Sequence, residues 1–190
     1  EEIESYVDSI NISEFTEEID DSWSSDNLDE KPYIDIIELE DRIHDLINIE
    51  RENQGLSPLT KNLKIVEIAR GHSQDMARRN YFSHDTPEGK DPTDRGNEKG
   101  YNCNKDYGDY ITYGLAENIF QNNLYGSVEY YGSSATYDWN SMEEIAVSTV
   151  EGWMDSQGHR ENILTASYDE TGVGLAISSD DKVYVTQNFC

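Results

Sequence analysis

The sequence is poor in basic residues and has no long apolar run, and each shortage excludes a class of protein. Only 14 of the 190 residues are Lys or Arg, against 40 Asp and Glu, which gives a formal net charge of −26. Nucleic acid phosphates are bound by clustered Lys and Arg, so nucleic acid is excluded as a partner and anionic membrane surfaces are disfavoured. No apolar stretch approaches the roughly 20 residues of a transmembrane helix, so no membrane span is predicted.

Cysteine is also scarce, and the two that occur, Cys103 and Cys190, lie outside any C-x-x-C motif. Two thiols so far apart in the sequence are weak evidence for a metal site. A disulfide between them is favoured if the protein is exported, and two unpaired thiols in a reducing compartment are the alternative. The sequence begins at Glu1 without Met or a basic-plus-apolar leader, which a removed export signal or an arbitrary chain boundary would explain. We expect a secreted or cell-surface protein.

The chain divides into an acidic tail and one domain. Residues 1–33 contain twelve Asp and Glu but a single basic residue, Lys31, and their apolar residues are too sparse to form a core. This composition predicts a disordered acidic tail or linker over residues 1–33. Residues 34–190 are long enough for a single domain with a core.

Apolar periodicity within residues 34–190 predicts helices first and strands last. The predicted elements are a helix from Ile36 that Gly55 and Pro58 end, a helix from about Thr60 to Arg79, a helix that begins at Ser141, a short turn over Arg160–Leu164, and a hairpin with strands at 172–177 and 183–189. Frequent Gly and Pro between residues 85 and 137 indicate a loop-rich region. This order predicts an α+β sandwich.

The candidate functional residues are His84, Glu117 and His159. Each stands in a short motif that mixes apolar and polar residues. Two imidazoles and one carboxylate suit Zn²⁺ with a fourth position left for water, and such a metal would activate that water as a nucleophile. The alternative without a metal uses a histidine as general base, held in orientation by Glu117. Both interpretations require that the three side chains meet in space.

The motifs around these residues resemble the CAP superfamily, also called SCP-domain proteins, in its prokaryotic form. That superfamily comprises cysteine-rich secretory, antigen 5 and pathogenesis-related class 1 proteins. The motifs that carry the resemblance are Ala69–Met76, Tyr81-Phe82-Ser83-His84, Ala116-Glu117-Asn118-Ile119, Trp153–Arg160, Gly172-Val173-Gly174 and Tyr184–Phe189. The resemblance implies a three-layer α-β-α sandwich over residues 34–190.

The resemblance also implies a cleft lined by two His and two Glu, of which this chain retains three members. By position, His84, Glu117 and His159 match, and the second Glu is replaced by Ser156. The acidic residues that could substitute for it are Glu151, Asp155 and Glu161. A Ser–His nucleophile at Ser156 is the less favoured interpretation, because no nucleophile-elbow glycines surround it. His72 lies on the apolar face of its helix, where a core role is favoured and a position bordering the cleft is the alternative.

Four functions are compatible with this sequence. The first is an exported CAP-domain protein whose cleft binds a divalent cation, Zn²⁺ above all, or a small ligand. The second is a metal-assisted hydrolase acting on peptides or cell-envelope material. The third, implied by the resemblance alone, is a lipid- or sterol-binding module, and the fourth is an extracellular interaction domain that works through its acidic tail. A fold by itself does not choose among them.

Overall fold

The computed structural model describes residues 30–106, 108–109 and 111–190. The predicted acidic tail therefore lies outside the described residues except for residues 30–33. The described helices are α1 (Ile36–Asn53), α2 (Leu63–Arg79), α3 (Pro92–Glu98), α4 (Met142–Asp155) and α5 (Gln157–Ile163). The described strands are β1 (Thr60–Lys61), β2 (Asn104–Asp106), β3 (Ile111–Tyr113), β4 (Ala116–Asn123), β5 (Tyr125–Tyr131), β6 (Ser134–Trp139), β7 (Glu170–Ile177) and β8 (Lys182–Phe189).

A four-stranded sheet with strand order β1-β7-β8-β4 forms the middle layer. Strand β8 pairs antiparallel with both β7 and β4, whereas the short β1 runs parallel to β7. Helix α2 packs on one face of this sheet, and α1 with α4 covers the other. The predicted three-layer α-β-α sandwich is confirmed. Two separate hairpins, β2–β3 and β5–β6, extend from it.

Alternation along β8 explains why the sheet has helices on both faces. Val183 and Val185 lie in the core shared with α1 and α4, whereas Tyr184 between them packs against Met76 of α2. Successive side chains of a strand point to opposite faces, and here both faces are apolar. The chain therefore has to bury both, and it does so by placing helices above and below the sheet.

Helix α2 approaches strand β7 unusually closely because two glycines face it. A Cβ atom on Gly172 would lie 2.2 Å from the Val66 nitrogen, and one on Gly174 would lie 1.9 Å from the Arg70 nitrogen. Only a residue without a side chain allows backbone to approach backbone at this distance. This contact sets the height of α2 above the sheet, and with it the position of His72.

The predicted element boundaries are partly right. The helix predicted from Ser141 is confirmed, with Ser141 and Glu144 forming a capping box. The second helix begins at Leu63 rather than Thr60, because Asn62 caps it and Thr60 pairs with Glu170 in the sheet. The turn expected at 160–164 belongs to helix α5.

The region from 85 to 137 is far more regular than predicted. It contains α3, strands β2 to β5 and part of β6. Helix α3 has only seven residues and starts at Pro92, with Asp91 and Asp94 forming a capping box. Such short elements have too few apolar residues to show a period, and their polar composition is typical of loops.

A disulfide joins Cys103 to Cys190, as predicted. It ties the residue after β8 to the segment just before β2, and both cysteines are buried beside Ile65, Ile68 and Leu115. The two cysteines are 87 residues apart in sequence. A cross-link over so long a loop restricts the unfolded chain strongly.

Replacing both cysteines by Ser should lower the free energy of unfolding by about 2–4 kcal/mol, mainly because the unfolded chain regains the entropy of that loop. Urea denaturation of the variant and of the oxidised protein measures the difference. The wild-type protein under reducing conditions is the matched control and should lose a similar amount. An unchanged midpoint in both would contradict the expectation.

Candidate functional site

The site is organised by the carboxylate of Glu117, which is almost completely buried. Glu117 is the second residue of β4 and lies opposite Asn188 in the register with β8. Its Oε1 accepts a hydrogen bond from His84 Nδ1 at 2.9 Å, and its Oε2 accepts one from Asn188 Nδ2 at 3.0 Å. The guanidinium of Arg95 also donates to Oε2. Both oxygens of this carboxylate are therefore already engaged by protein groups.

Arg95, on the short helix α3, is the buried countercharge of Glu117. Besides that ion pair, its Nη1 donates to the carbonyl oxygen of His84 at 2.7 Å and to that of Lys90 at 3.1 Å. A buried charge is tolerated when it is paired and hydrogen-bonded. Arg95 thus neutralises Glu117 and at the same time holds the backbone of the loop that carries His84.

His84 presents one edge of its ring to Glu117 and the rest to solvent. Its side chain is 48% exposed, although its Nδ1 contacts a buried carboxylate. A carboxylate that accepts the bond requires a hydrogen on Nδ1, so in the neutral ring the lone pair lies on Nε2. His84 therefore offers a lone pair at Nε2, while its Nδ1 is held by Glu117.

His159 reaches the same region from α5, which two asparagines attach to β4. Asn118 Nδ2 donates to the His159 carbonyl oxygen at 3.1 Å, and Asn162 Nδ2 donates to Asn118 Oδ1 at 2.9 Å and to the Glu117 carbonyl oxygen at 3.2 Å. Partial burial, and then the nearby charge of His84, lower the pKa of His159. A lowered pKa favours the neutral ring of His159.

His72 lies beneath these residues and is fully buried on α2. Its Nε2 donates to the Ser83 carbonyl oxygen at 2.9 Å and lies 4.0 Å from Glu117 Oε1. Burial is the main cause of its lowered pKa, which the negative charge of Glu117 opposes only in part. His72 is therefore a neutral residue that borders the site, held by the segment that leads to His84.

Ser156 lies at the junction of α4 and α5, where it ends one helix and precedes the other. Its side chain makes no capping hydrogen bond to α5. Glu151, Asp155 and Glu161 all lie on the exposed surface, and Glu161 accepts a hydrogen bond from Gln157 at 2.8 Å. The structure therefore gives none of these acidic residues a buried position comparable to that of Glu117.

The predicted three-ligand metal set fits this geometry only in part. Within residues 30–106, 108–109 and 111–190, no group of three His, Cys, Asp or Glu is placed to hold a metal ion. The donors that remain open are the imidazole of His159 and Nε2 of His84, while Glu117 contacts a ring nitrogen and a guanidinium. A carboxylate behind a ligating histidine is a familiar arrangement in zinc sites. Glu117 orients the imidazole of His84, whereas His159 is attached to β4 through its backbone carbonyl oxygen.

The sequence model of the cysteine-rich secretory protein family, CAP, matches residues 44–189. The chain belongs to the CAP family.

Two curated relatives come from Bacillus subtilis (strain 168). The chain is 33% identical over 150 residues to the "Uncharacterized membrane protein YlbC", covering 79% of this chain and 34% of that protein. It is also 33% identical over 139 residues to the "Uncharacterized protein YkwD", covering 73% of this chain and 43% of that protein. The chain thus spans less than half the length of these two relatives.

Solved structures agree with this assignment to the CAP fold. An extracellular protein containing an SCP domain from Bacillus anthracis str. Ames superposes with a TM-score of 0.58 at 26% identity, over 84% of this chain and 44% of that one. An outer surface protein from Borrelia burgdorferi superposes with a TM-score of 0.59 at 15% identity, over 84% and 97% of the two chains. The second likeness concerns the fold alone. None of the helices in the described part of this chain is long and apolar enough to cross a membrane.

Three residues of this CAP site were missed by sequence reasoning: Arg95, Asn162 and Asn188. Asn188 stands in a run whose pattern predicts only a strand, and no local signal links Asn162 to Glu117 or Asn118. Arg95 falls in the region predicted as loop, although Asp91-Pro92-Thr93-Asp94 carries the capping-box signature of a helix start. Recognising that helix would have drawn attention to the arginine that directly follows this signature.

Proposed function

We propose that the cleft between His84 and His159 binds a divalent cation, with Zn²⁺ the best match to imidazole ligands. The observation that carries this proposal is the hydrogen bond of His84 Nδ1 to the buried Glu117. It fixes the orientation of the ring, and 48% of the His84 side chain is exposed. His159, with its lowered pKa, supplies a second neutral imidazole.

The role of Glu117 in this proposal is to orient His84 rather than to bind the cation. Its oxygens accept hydrogen bonds from His84, Asn188 and Arg95, so direct binding to a cation would require at least one of these contacts to break. Two histidines with water completing the shell give a weaker site than three protein ligands. A bound Zn²⁺ would polarise its water, which is the chemistry that a hydrolytic CAP protein would use.

We also propose that the protein works outside the cell or at its surface. The disulfide between Cys103 and Cys190 suits an oxidising compartment. The Bacillus anthracis SCP-domain protein is extracellular, and the Borrelia burgdorferi protein is an outer surface protein. The partners we expect there are a small ligand or an extracellular protein or envelope component.

A Zn²⁺ titration with histidine variants tests the cation site. We expect His84→Ala and His159→Ala each to weaken binding by about tenfold or more, because each removes one of two protein ligands. His44→Ala is the matched control, since His44 lies on α1 and hydrogen-bonds to the Leu59 carbonyl oxygen at 3.2 Å. It should bind Zn²⁺ as the wild-type protein does.

The acidic surface requires one further precaution in this titration. With 40 Asp and Glu in the chain, carboxylates bind cations loosely at many positions. Excess Mg²⁺, which prefers oxygen ligands, saturates those positions without competing for imidazoles. If the stoichiometry with Mg²⁺ present stays near one per chain and disappears in the two cleft variants, the proposal stands. Equal binding in all three variants would refute it.

A hydrolase is the second candidate, and the pair His84–Glu117 favours it. A half-exposed histidine oriented by a buried carboxylate is the arrangement of a general base. Cleavage of peptides or envelope material should then be lost in His84→Ala and retained in His44→Ala. A broad substrate screen without any His84-dependent turnover would leave cation binding as the remaining candidate function.

No contact of comparable specificity among the described residues supports the lipid- or sterol-binding prediction, although Tyr130 and Tyr131 are exposed on the β5–β6 hairpin.

A further inference from the structure

A groove of about 740 Å³ lies between the β5–β6 hairpin, the segment 30–34 and the start of α4. We call it the hairpin groove. Residues 136–139, which follow one another along β6, all line it, whereas β5 contributes only Ser127 and Glu129. The groove therefore runs along strand β6. Its lining includes neither His84 nor His159, so the hairpin groove is separate from the histidine cleft.

The apolar part of the hairpin groove is rich in aromatic rings. Tyr137 and Trp139 stack on each other, with ring centroids 4.8 Å apart and ring planes 18° from parallel. Tyr33 also lines the groove and is 86% exposed. Tyrosine and tryptophan are enriched where proteins bind other proteins. The groove thus offers apolar surface that a bound partner would cover.

The charged residues that line the hairpin groove are all acidic. None of the described residues in its lining is Lys, Arg or His, and the carboxylates are Glu30, Glu129, Asp138, Glu143 and Glu144. Among the described residues, Arg42 pairs with Glu143, whereas Lys31 pairs with Asp181 outside the groove. Carboxylates beside aromatic rings complement Lys and Arg, whose charged groups also bind the faces of such rings. The groove therefore favours a cationic partner.

Strand β6 has an edge to which an extended chain can add. In the described part of the chain it pairs only with β5, so its other edge has no strand partner. Such an edge can accept a further strand through main-chain hydrogen bonds. Alternate side chains of the added strand would then point into the groove. Because β6 has six residues, the added segment would be about six residues long.

Neither the tail of this chain nor a second copy of it matches the charge of the groove. Residues 1–29 contain eleven Asp and Glu and no Lys or Arg. The whole chain carries a net charge of −26, so a second copy is also acidic. Like charges placed opposite each other disfavour association. The occupant with matching charge is a basic segment of another protein.

We propose that the hairpin groove binds an extended basic segment of a partner protein. The segment adds a strand to the free edge of β6, and its Lys or Arg side chains contact Tyr33, Glu129 and Asp138. The main-chain hydrogen bonds select an extended conformation, and the carboxylates select a basic sequence. This binding requires neither His84 nor His159 and is independent of the proposed cation site.

Fluorescence anisotropy with labelled peptides and the full chain tests this proposal. The probe is a six-residue peptide that alternates Lys and Thr, and the comparison peptide has Glu in place of Lys. We expect saturable binding of the Lys peptide that weakens as NaCl is raised, and no saturable binding of the Glu peptide. Two further analogues are N-methylated at alternate residues, in one phase or the other. At least one of them should bind about tenfold more weakly, because it has lost the donors to the β6 edge.

Charge-neutral variants locate the binding in the hairpin groove. Glu129 and Asp138 are exposed and lie on one face of the hairpin, so Glu129→Gln/Asp138→Asn should leave the fold intact. We expect this double variant to bind the Lys peptide about fivefold more weakly. Glu52→Gln/Glu151→Gln removes the same charge from exposed positions outside the groove and should bind within about twofold of the wild-type protein.

Three outcomes would overturn the proposal. The first is no saturable binding of the Lys peptide. The second is equal binding of the parent peptide and both N-methylated analogues, or displacement of the peptide by an equal concentration of spermidine, since either shows attraction of cations without strand addition. The third is an equal loss of affinity in the two double variants. His84→Ala should bind the Lys peptide as the wild-type protein does, so failure here leaves the proposed Zn²⁺ site unaffected.

Discussion

Replacing Arg95 by Met should lower the free energy of unfolding by about 3–5 kcal/mol, the usual effect of removing one partner of a buried ion pair. Arg95 is the countercharge of Glu117, whose side chain is only 1% exposed. Met fills a similar volume but leaves the carboxylate with hydrogen bonds from Asn188 and His84 alone. The variant also loses the bonds from Arg95 to the backbone of His84 and Lys90. Urea denaturation followed by circular dichroism measures the loss.

Two control variants distinguish the effect of leaving the buried charge of Glu117 unpaired from the effect of removing an arginine in general. Arg78 pairs with Asp75 but is 77% exposed, so Arg78→Met should change the free energy of unfolding by no more than about 1 kcal/mol. The double variant Arg95→Met/Glu117→Gln removes the uncompensated charge, and we expect it to be more stable than Arg95→Met alone. Equal destabilisation by Arg78→Met and Arg95→Met would show that Glu117 does not need a buried cation.

The long periodic elements could be predicted from the sequence because the spacing of their apolar residues reports which face is buried. Helices α1 and α4 and the hairpin β7–β8 each repeat apolar residues at a period that only one type of element satisfies. The segment from 85 to 137 could not be predicted for three reasons: α3, β2 and β3 are short, the hairpin β5–β6 is mostly exposed and has no apolar alternation along β5, and β4 pairs with the distant β8. Helix α3 is the example: it brings Arg95 to Glu117, and that pairing leaves no local pattern.

For the candidate site, the residues could be predicted from the sequence but their contacts could not. The histidines and Glu117 stand in short motifs, so their identities could be proposed from the sequence. Which atoms contact Glu117 could not, because Arg95 and Asn188 are 22 and 71 residues away from it in the chain. Of the two roles predicted for Glu117, metal ligand in a His₂Glu set or orienting group for a histidine, its contacts support the second.

The glycine pair in β7 gives the sharpest test of how this fold is built. Gly174→Ala should destabilise the protein by more than about 3 kcal/mol, above the usual range for overpacking, because the added Cβ meets backbone rather than a movable side chain. It would lie 1.9 Å from the Arg70 nitrogen and 2.5 Å from the Ala69 carbonyl carbon. Relief requires α2 to move away from the sheet. That movement would displace His72, which follows Arg70 by two residues.

Gly71→Ala on the facing helix is the matched control for this prediction. The same added methyl group meets nothing within 4 Å there, and Ala is about 1 kcal/mol more favourable than Gly inside a helix. Gly71→Ala should therefore be neutral or slightly stabilising, although Gly71 directly follows Arg70, the residue that Gly174 contacts. Thermal or urea unfolding of the two variants compares them directly. If both alanines were tolerated equally, the close approach of α2 to β7 would not be what holds the helix in place, and the position of His72 would need another cause.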